Sequence, residues 1–259
     1  MKSVKKSLGQ NFLVDKNIIK KIIDLTKIKN KNVIEIGPGK GALTEEIVLR
    51  KPKSIKLIEK DYQLYKDLKS KYSSIENVTV FNADILKFDL EKILKQDCLL
   101  FGNLPYNISS QILVKILKIK KLHLIQDLIL MFQKELAEKI LGFYPSKSYG
   151  RISILSNYKL NFKKKFNVSN NCFIPKPKIT STVIHFQPKD KNFRINNIDY
   201  LEKVTNILFS GKRKMINKNI KKLLSNSDIK KIPNFNLNLR PSEIRPEIYY
   251  KITEIYEKK

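Results

Sequence analysis

Short apolar runs alternate with longer segments of helical periodicity from Lys31 to about Phe186. This alternation is typical of a largely parallel β-sheet covered by helices on both faces, because each parallel connection needs a crossover helix. The predicted strands are Asn32–Ile36, Ser54–Ile58, Val78–Phe81, Cys98–Phe101, Leu124–Phe132, Ser153–Tyr158 and Thr182–Phe186. The predicted helices are Gly41–Arg50, Tyr62–Lys71 and Gln133–Leu141. The pattern therefore predicts an α/β fold.

The pattern changes after the segment Gln187-Pro188-Lys189-Asp190-Lys191, which has the composition of a linker. Helical periodicity without a convincing strand then continues from Tyr200 to Lys259. We therefore predict two domains, with residues 1–190 forming the α/β domain and residues 191–259 forming a small all-helical domain.

A basic run, Gly211-Lys212-Arg213-Lys214, lies in the predicted helical domain. We expect it to form a cationic helix face that also includes Lys218, Lys221 and Lys222. The same helix would carry an apolar stripe of Met215, Ile216, Ile220 and Leu223. A solvated helix face is the alternative interpretation, and the pattern leaves both open.

The net charge makes a functional basic surface more credible. The chain of 259 residues has 52 lysines and arginines against 24 acidic residues, a formal charge of +28. Such an excess favours a polyanionic partner through release of counterions, and nucleic acid is the obvious candidate. Only six of the basic residues are arginines, so the lysine bias of an AT-rich genome is a competing explanation. Codon bias does not explain the shortage of acidic residues, and we expect a functional surface.

The remaining composition excludes several protein classes. Hydrophobic residues make up 42% of the chain, and no stretch reaches about 18 apolar residues, so we predict no membrane span. The basic start, Met1–Ser7, is not followed by the apolar core of a signal peptide, and we expect a cytoplasmic protein. Cys98 and Cys172 are isolated and His123 and His185 are solitary, so neither a disulfide framework nor a metal site is indicated.

A glycine-rich loop follows the first predicted strand and opens a helix. Its sequence, Glu35-Ile36-Gly37-Pro38-Gly39-Lys40-Gly41-Ala42, contains two overlapping patterns. The pattern G-x-G-x-x-A is typical of dinucleotide-binding proteins, and E-x-G-x-G-x-G is typical of methyltransferases. Both allow the backbone to approach a nucleotide-like cofactor closely. The loop alone does not choose between them, and a purely structural turn is a third interpretation.

Acidic residues follow the next two predicted strands. Glu59 lies 22 positions beyond Gly37, close to the spacing at which a carboxylate accepts both ribose hydroxyls. Asp61 is the competing acid, but its place at a helix start is explained by N-capping. Asp84 can accept from the adenine amine of a cofactor while Ile85 packs on the ring, and capping of a turn is the alternative for Asp84.

The motif Phe101-Gly102-Asn103-Leu104-Pro105-Tyr106 begins at the carboxyl end of a predicted strand, where open α/β sheets bind ligands. The exocyclic amine of adenine is a poor nucleophile, because its lone pair is delocalised into the ring. The Asn103 side-chain oxygen and the Leu104 carbonyl can accept its two hydrogens, while Pro105 stiffens the turn and Tyr106 stacks on the extruded base. An ordinary Asn-Pro turn is the alternative.

Nine blocks in order resemble the bacterial small-subunit ribosomal RNA adenine dimethyltransferases. The blocks are Leu8–Leu13, Glu35–Thr44, Glu59, Asp84-Ile85, Phe101–Ser109, Gln133–Glu135, Tyr149–Ser153, Phe173–Ile179 and Gly211–Lys214. The resemblance implies a Rossmann-like class I methyltransferase sheet with a small C-terminal all-helical domain. It also implies S-adenosylmethionine as the methyl donor and two adjacent adenosines near the 3′ end of small-subunit ribosomal RNA as the target. The implied partner is the immature small subunit during ribosome biogenesis, bound by a monomer.

The resemblance assigns roles to individual residues. On the donor side these are Asn11 and Leu13 as a cover, Gly37 for the methionine part, Glu59 for the ribose, and Asp84 with Ile85 for the adenine. Asn103 would contact both donor and target. Phe173 would cover the face of the base opposite Tyr106, and a core anchor is its alternative role.

For RNA binding, the corresponding residues are Lys212, Arg213, Lys214 and Lys218. Two features depart from the family pattern: Arg245-Pro246 follows the closing motif Leu239–Ile244, and lysines replace the arginines usual in the basic run. Lysine lacks the bidentate fork of arginine, so the individual RNA contacts are left open.

Three other functions remain as alternatives. A large-subunit adenine methyltransferase of the macrolide-resistance type shares the Asn-aromatic motif but usually lacks the basic run and closing motif. A non-catalytic ribosome-assembly protein with a vestigial pocket would not need the intact Asn103–Tyr106 segment. A dehydrogenase would leave that segment and the charge unexplained.

Overall fold

The computed structural model describes residues 11–189, 194–233 and 235–259. Leu8, Gly9 and Gln10 of the first family block lie outside the described residues, as do Asp190 and Lys191 of the expected linker. Contacts divide the chain into two compact units. The first contains the described residues up to Ala137 together with Leu160–Pro188, and the second contains Glu138–Lys159 and the described residues after Pro188.

The first unit contains two sheets. In the described residues, the larger sheet has seven strands in the order β4-β3-β2-β5-β6-β9-β7, and β1 pairs with β8 in a second sheet. The strands are β1 Phe12–Leu13, β2 Asn32–Ile36, β3 Ser54–Glu59, β4 Val78–Asn82, β5 Cys98–Asn103, β6 Ile125–Gln133, β7 Leu160–Val168, β8 Phe173–Ile174 and β9 Ser181–Pro188. Strands β2 to β6 run parallel, β9 is antiparallel to β6, and β7 is antiparallel to β9.

The helices connect the strands and build the second unit. They are α1 Lys16–Ile23, α2 Ala42–Leu49, α3 Tyr62–Lys71, α4 Ser109–Leu117, α5 Lys134–Ile140, α6 Arg151–Lys159, α7 Ile198–Phe209, α8 Asn217–Ile220, α9 Asn226–Ile229 and α10 Pro246–Glu257. None of the helices in the described ranges is long and apolar enough to cross a membrane. The α/β architecture predicted from the alternating pattern is confirmed.

Local chemistry explains where the helices of the first unit begin. The Asp15 carboxylate accepts from the backbone N–H groups of Asn17 and Ile18 and starts α1. Asp61 does the same at α3, where it accepts from Gln63 and Leu64. These bonds satisfy backbone donors that have no partner within the helix. The N-cap interpretation of Asp61 is therefore confirmed.

One predicted strand is wrong. Ser153–Tyr158 lies in helix α6, and β7, which follows it directly, was not predicted; nor were the two-residue strands β1 and β8. Ser153, Ile154, Leu155 and Ser156 are all buried, and a helix segment buried all round has no periodicity that separates it from a strand. Strand β7 lacks the alternation of buried and exposed residues that predicts a strand, because five consecutive residues, Asn161–Lys165, are exposed.

This error also affects the domain boundary. The expected boundary after residue 190 places Glu138–Lys159 in the α/β domain, whereas the contacts assign this segment to the second unit. The physical reason is that α6 packs on α7 in the helical unit and is not a strand of the sheet. The last part of the chain is helical as predicted, with Tyr249 buried and its ring stacked on that of Phe209 at 5.6 Å.

The basic run adopts a different local structure from the predicted one. Gly211–Lys214 forms a turn, closed by a bond of 2.9 Å from Lys214 N–H to the Gly211 carbonyl, and α8 after it has only four residues. The non-helical stretch extends through Ile216, which precedes the first residue of α8, Asn217. A continuous cationic helix face is therefore wrong. The basic side chains are nevertheless exposed. Ile216, Ile220 and Leu223 of the expected apolar stripe are buried, whereas Met215 is 51% exposed and does not belong to it.

Candidate active site

The glycine loop lies at the carboxyl end of β2 and borders a pocket. Gly37 has a φ of 66° and Gly39 a φ of 60°, values that L side chains rarely adopt. A Cβ at Gly39 would also lie 3.0 Å from Cδ1 of Phe12. Both positions therefore require glycine, and the loop presents bare backbone to the pocket.

Glu59 lies at the carboxyl end of β3 and faces this loop. Its Oε2 accepts from the Gly39 N–H at 3.0 Å, and its Oε1 accepts from the Asp61 N–H at 2.8 Å. Burial raises the pKa of Glu59, and the two backbone hydrogen bonds oppose that rise. Each carboxylate oxygen has capacity for a second donor, so Glu59 can accept two hydroxyls from a ligand in the pocket.

Asp84 follows β4 on the same edge of the sheet. Its Oδ1 accepts from the Leu86 N–H at 2.9 Å, and its Oδ2 forms an ion pair of 2.9 Å with Lys60. The Lys60 ammonium lowers the pKa of Asp84. Lys115 on α4 donates to the Leu86 carbonyl at 2.8 Å, so the loop after β4 is held by lysines from two sides.

Asn103 is the last residue of β5 and lies beside the glycine loop. A Cβ built on Gly37 would be 3.8 Å from the Asn103 main-chain oxygen, which measures how closely the two backbones approach. The Asn103 Nδ2 donates to the Asn11 carbonyl at 3.2 Å. The amide oxygen of Asn103 accepts no hydrogen bond from the described residues and remains available for a ligand.

The residues after Asn103 form a turn at the edge of the same pocket. Leu104 is buried and lines the pocket together with Pro105 and Tyr106. The Tyr106 hydroxyl and Ser181 Oγ, at the start of β9, are 2.5 Å apart. Burial raises the pKa of Tyr106, with the Ser181 bond opposing the rise. The Tyr106 ring is thus fixed by a hydrogen bond at its far end.

Glu35 lies beneath the glycine loop and is fully buried. Its Oε2 accepts from the Thr44 hydroxyl at 2.6 Å. Burial raises the pKa of Glu35 from 4.5 to about 7, the Thr44 bond lowers it, and the nearby Glu59 raises it further. This carboxyl therefore changes its charge near neutral pH.

The structure brings together all but one of the residues expected to bind the methyl donor or the target base. Asn11, Leu13, Gly37, Glu59, Asp84, Ile85 and Asn103 to Tyr106 line one pocket. Phe173 does not line it. Its side chain is only 2% exposed and lies in the hydrophobic core with Val168, Cys172 and Val183, where it opposes Leu13 in the β1–β8 pair. This position corresponds to a core anchor rather than to a stacking surface.

Among the pocket residues for which no role was predicted, Phe12 and Lys60 make side-chain contacts that shape the site. Phe12 lines the pocket beside Gly39, and its ring lies 4.8 Å from the Lys40 ammonium. Lys60 directly follows Glu59 and pairs with Asp84. A signal for Lys60 existed, because the strand ends of β3 and β4 are neighbours and a lysine there lies close to the acid that follows β4.

The sheet order and a pocket at the carboxyl ends of β2 to β5 define the Rossmann-like class of methyltransferase folds. A crystal structure of a dimethyladenosine transferase from Plasmodium falciparum superposes with a TM-score of 0.75 at 27% identity, covering 93% of this chain and 95% of that one. The structure of the 23S rRNA methyltransferase ErmE gives a TM-score of 0.67 at 23% identity, over 95% and 100%, and supports the fold alone.

Sequence comparisons are more specific. The ribosomal RNA adenine dimethylase family model matches residues 1–258. A Pelagibacter ubique protein named ribosomal RNA small subunit methyltransferase A is 44% identical over 255 residues, 98% of this chain and 97% of that protein. The protein of that name from Malacoplasma penetrans is 40% identical over 252 residues, 95% and 90% of the two chains. The chain belongs to the ribosomal RNA adenine dimethylase family. The predicted family is confirmed, and the methyltransferase pattern of the glycine loop is the appropriate one.

Proposed function

We propose that this protein transfers methyl groups from S-adenosylmethionine to the exocyclic amines of two adjacent adenosines near the 3′ end of small-subunit ribosomal RNA. The observation that carries the proposal is the close approach of Asn103 to Gly37. It joins a nucleotide-binding loop and a base-orienting motif in one pocket. The names of the Pelagibacter and Malacoplasma relatives support the choice of the small subunit.

The residues of the pocket fit the proposed methyl donor. The backbone of Gly37 and Gly39 leaves space for the methionine part, and Glu59 offers acceptors to the ribose hydroxyls. Asp84, kept ionised by Lys60, offers an acceptor to the adenine amine. Asn11 to Leu13 cover the pocket. When bound, S-adenosylmethionine supplies an electrophilic methyl group on its sulfonium.

Asn103 and Leu104 orient the target amine in the proposed mechanism. The free amide oxygen of Asn103 and the Leu104 carbonyl accept the two amine hydrogens, so that the nitrogen lone pair faces the methyl group. The bond from Asn103 Nδ2 to the Asn11 carbonyl fixes which end of the amide is available. Preorganised acceptors of this kind cost little reorganisation during the reaction.

Tyr106 holds the extruded adenine by stacking. Its ring is immobilised by the hydroxyl bond to Ser181, so little conformational freedom is lost when a base stacks on it. Because Phe173 is buried in the core, we assign the stacking contact to Tyr106 and the motif residues around it. The methylated amine is acidic enough to lose its proton to water, so no dedicated general base is required.

The exposed basic turn of the helical unit is proposed to bind ribosomal RNA. Lys212, Arg213, Lys214 and Lys218 have exposed side chains and form no ion pair with a described residue. Replacing Lys212, Arg213 and Lys214 by glutamine should weaken RNA binding and lower the slope of log affinity against log salt concentration by about 2. A matched control replaces three other exposed lysines of this unit, Lys147, Lys230 and Lys258, by glutamine. Equal loss in both variants would argue against a specific role for the turn.

The decisive test of function uses labelled S-adenosylmethionine and undermethylated small subunits, followed by nucleoside analysis. We expect dimethyladenosine in small-subunit RNA. Labelled large-subunit RNA would favour the macrolide-resistance alternative, and binding of subunits without methylation would favour a non-catalytic assembly role. We further propose that the protein is a cytoplasmic monomer and that it acts on an immature small subunit. Sedimentation of the protein with assembly intermediates of different maturity tests the preference for the immature subunit.

A further inference from the structure

Strand β7 forms the outer edge of the large sheet and carries an unusual run of exposed residues. Asn161, Phe162, Lys163, Lys164 and Lys165 are exposed in succession, with Phe162 exposed to 49%. The register with β9 shifts between Phe162 and Lys164, so Lys163 has no direct partner in the ladder. The run therefore projects positive charge along the sheet edge.

The three lysines have no compensating acids. The ammonium groups of Lys163, Lys164 and Lys165 form no hydrogen bond or ion pair with another side chain in the described ranges. Lys21 of α1 extends the charge, because its ammonium lies 4.4 Å from the ring centroid of Phe166 on the same strand. We call Lys21, Lys163, Lys164 and Lys165 the β7 lysine strip.

The strip leads toward the proposed catalytic pocket. Strand β7 runs in the same direction as β5, because it is antiparallel to β9 and β9 is antiparallel to β6. At its carboxyl end, Val168 pairs with Ser181, and Ser181 is hydrogen-bonded to Tyr106. Lys164 precedes Val168 by four residues, roughly 13 Å along a strand. Lys163, Lys164 and Lys165 thus lie roughly 10–17 Å along the strand from Val168, on the path that leads to Tyr106.

We propose that the β7 lysine strip binds the phosphate backbone of the RNA strand that flanks the target adenosine. The proposal rests on the proposed function, since it requires that RNA reaches Tyr106. Charge complementarity selects the occupant, because ammonium groups without acidic partners attract phosphates and release counterions. Binding here positions the strand and carries no base specificity.

The competing explanation is that edge lysines only prevent sheet-to-sheet aggregation. Glutamate protects an edge equally well but repels phosphate. The combined variant Lys163→Glu, Lys164→Glu, Lys165→Glu therefore separates the two explanations. The control is Lys27→Glu, Lys29→Glu, Lys95→Glu, which makes the same charge change at exposed positions preceding β2 and β5.

Binding to a ribosomal RNA fragment containing the target is measured against salt, with S-adenosylmethionine affinity as the check on folding. We expect the strip variant to bind RNA roughly tenfold more weakly and to lose about 2 from the salt slope, with an unchanged control. Replacing the three lysines by arginine should preserve both values. An unchanged strip variant, or equal losses in both glutamate variants, overturns the proposal. A loss seen only with intact subunits also overturns it, because it indicates a protein partner.

A directed-cleavage experiment locates the RNA. A hydroxyl-radical reagent attached to a Lys164→Cys variant should cleave the backbone beside the target adenosine, and the native Cys98 and Cys172 are buried and should remain unlabelled. Cleavage far from the target, or none, contradicts the proposal. Methylation by the wild-type protein is measured in parallel. If the wild type methylates RNA but the tests of the β7 lysine strip fail, only the strip proposal is refuted. If the wild type does not methylate RNA, the proposed function itself is refuted.

Discussion

Replacing Glu59 by glutamine should weaken both the fold and the binding of the methyl donor. Both carboxylate oxygens of Glu59 accept backbone N–H groups, from Gly39 at 3.0 Å and Asp61 at 2.8 Å. Glutamine has only one oxygen, so its amide group must face one of these donors. Leaving a buried donor without an acceptor costs about 1–3 kcal/mol, which lowers the melting temperature of a chain of this size by roughly 2–4 °C per kcal/mol.

The effect on the donor has a separate origin. Hydrogen bonds to charged groups contribute about 1.5–3 kcal/mol. Losing the carboxylate should therefore weaken the binding of S-adenosylmethionine roughly tenfold to a hundredfold. Calorimetric titration measures the affinity, and thermal denaturation without ligand measures the stability. The control is Glu45→Gln, because the Glu45 side chain is 58% exposed and its ion-pair partner among the described residues is the surface Lys71. It should change stability by less than about 0.5 kcal/mol. An unchanged affinity in the Glu59 variant would refute its role at the ribose.

Three further outcomes are expected. Glu35→Gln should stabilise the protein more at about pH 8 than at about pH 5. The folded pKa of Glu35 is raised from 4.5 to about 7, so the stability of the wild type falls as the pH rises through that range. Thermal denaturation of both proteins at both pH values tests this, and an equal stability difference at the two pH values would disprove it. Lys60→Met should make S-adenosylmethionine binding fall off at a higher pH than in the wild type when the solution is acidified. The reason is that the pKa of Asp84 loses its largest lowering contribution, while the Leu86 hydrogen bond and Lys87 still lower it. Identical pH profiles in calorimetry would contradict this prediction. Tyr106→Phe should keep the stacking ring but leave the Ser181 hydroxyl without its partner. We expect a loss of about 1 kcal/mol in stability and a less than roughly tenfold fall in kcat/KM. Complete inactivity would show that the Tyr106 hydroxyl itself acts in the chemistry.

Much of the site was predictable because its residues follow directly after strands with clear patterns. Glu59 and Asn103 end apolar runs whose parallel neighbours were recognisable, so their meeting at one sheet edge followed from topology. Family roles for Asn11 and Leu13 came from the resemblance, since a polar start to a chain has no meaning by itself.

The failures came from burial and from long-range packing. Helix α6 is buried on more than one face, and β7 is exposed over five consecutive residues, so neither shows the periodicity of its own structure. The core position of Phe173 depends on the pairing of β8 with β1, two short segments about 160 positions apart in the sequence. The Lys60–Asp84 pair, in contrast, could have been inferred from the neighbouring ends of β3 and β4 and was overlooked.

In the proposed mechanism, the Asn103 amide oxygen orients the target amine. Single-turnover methyl transfer by the Asn103→Ala variant tests this role, with saturating S-adenosylmethionine and with binding to small subunits measured separately. We expect nearly unchanged subunit binding and no dimethyladenosine. Dimethyladenosine formation at the wild-type rate would contradict it.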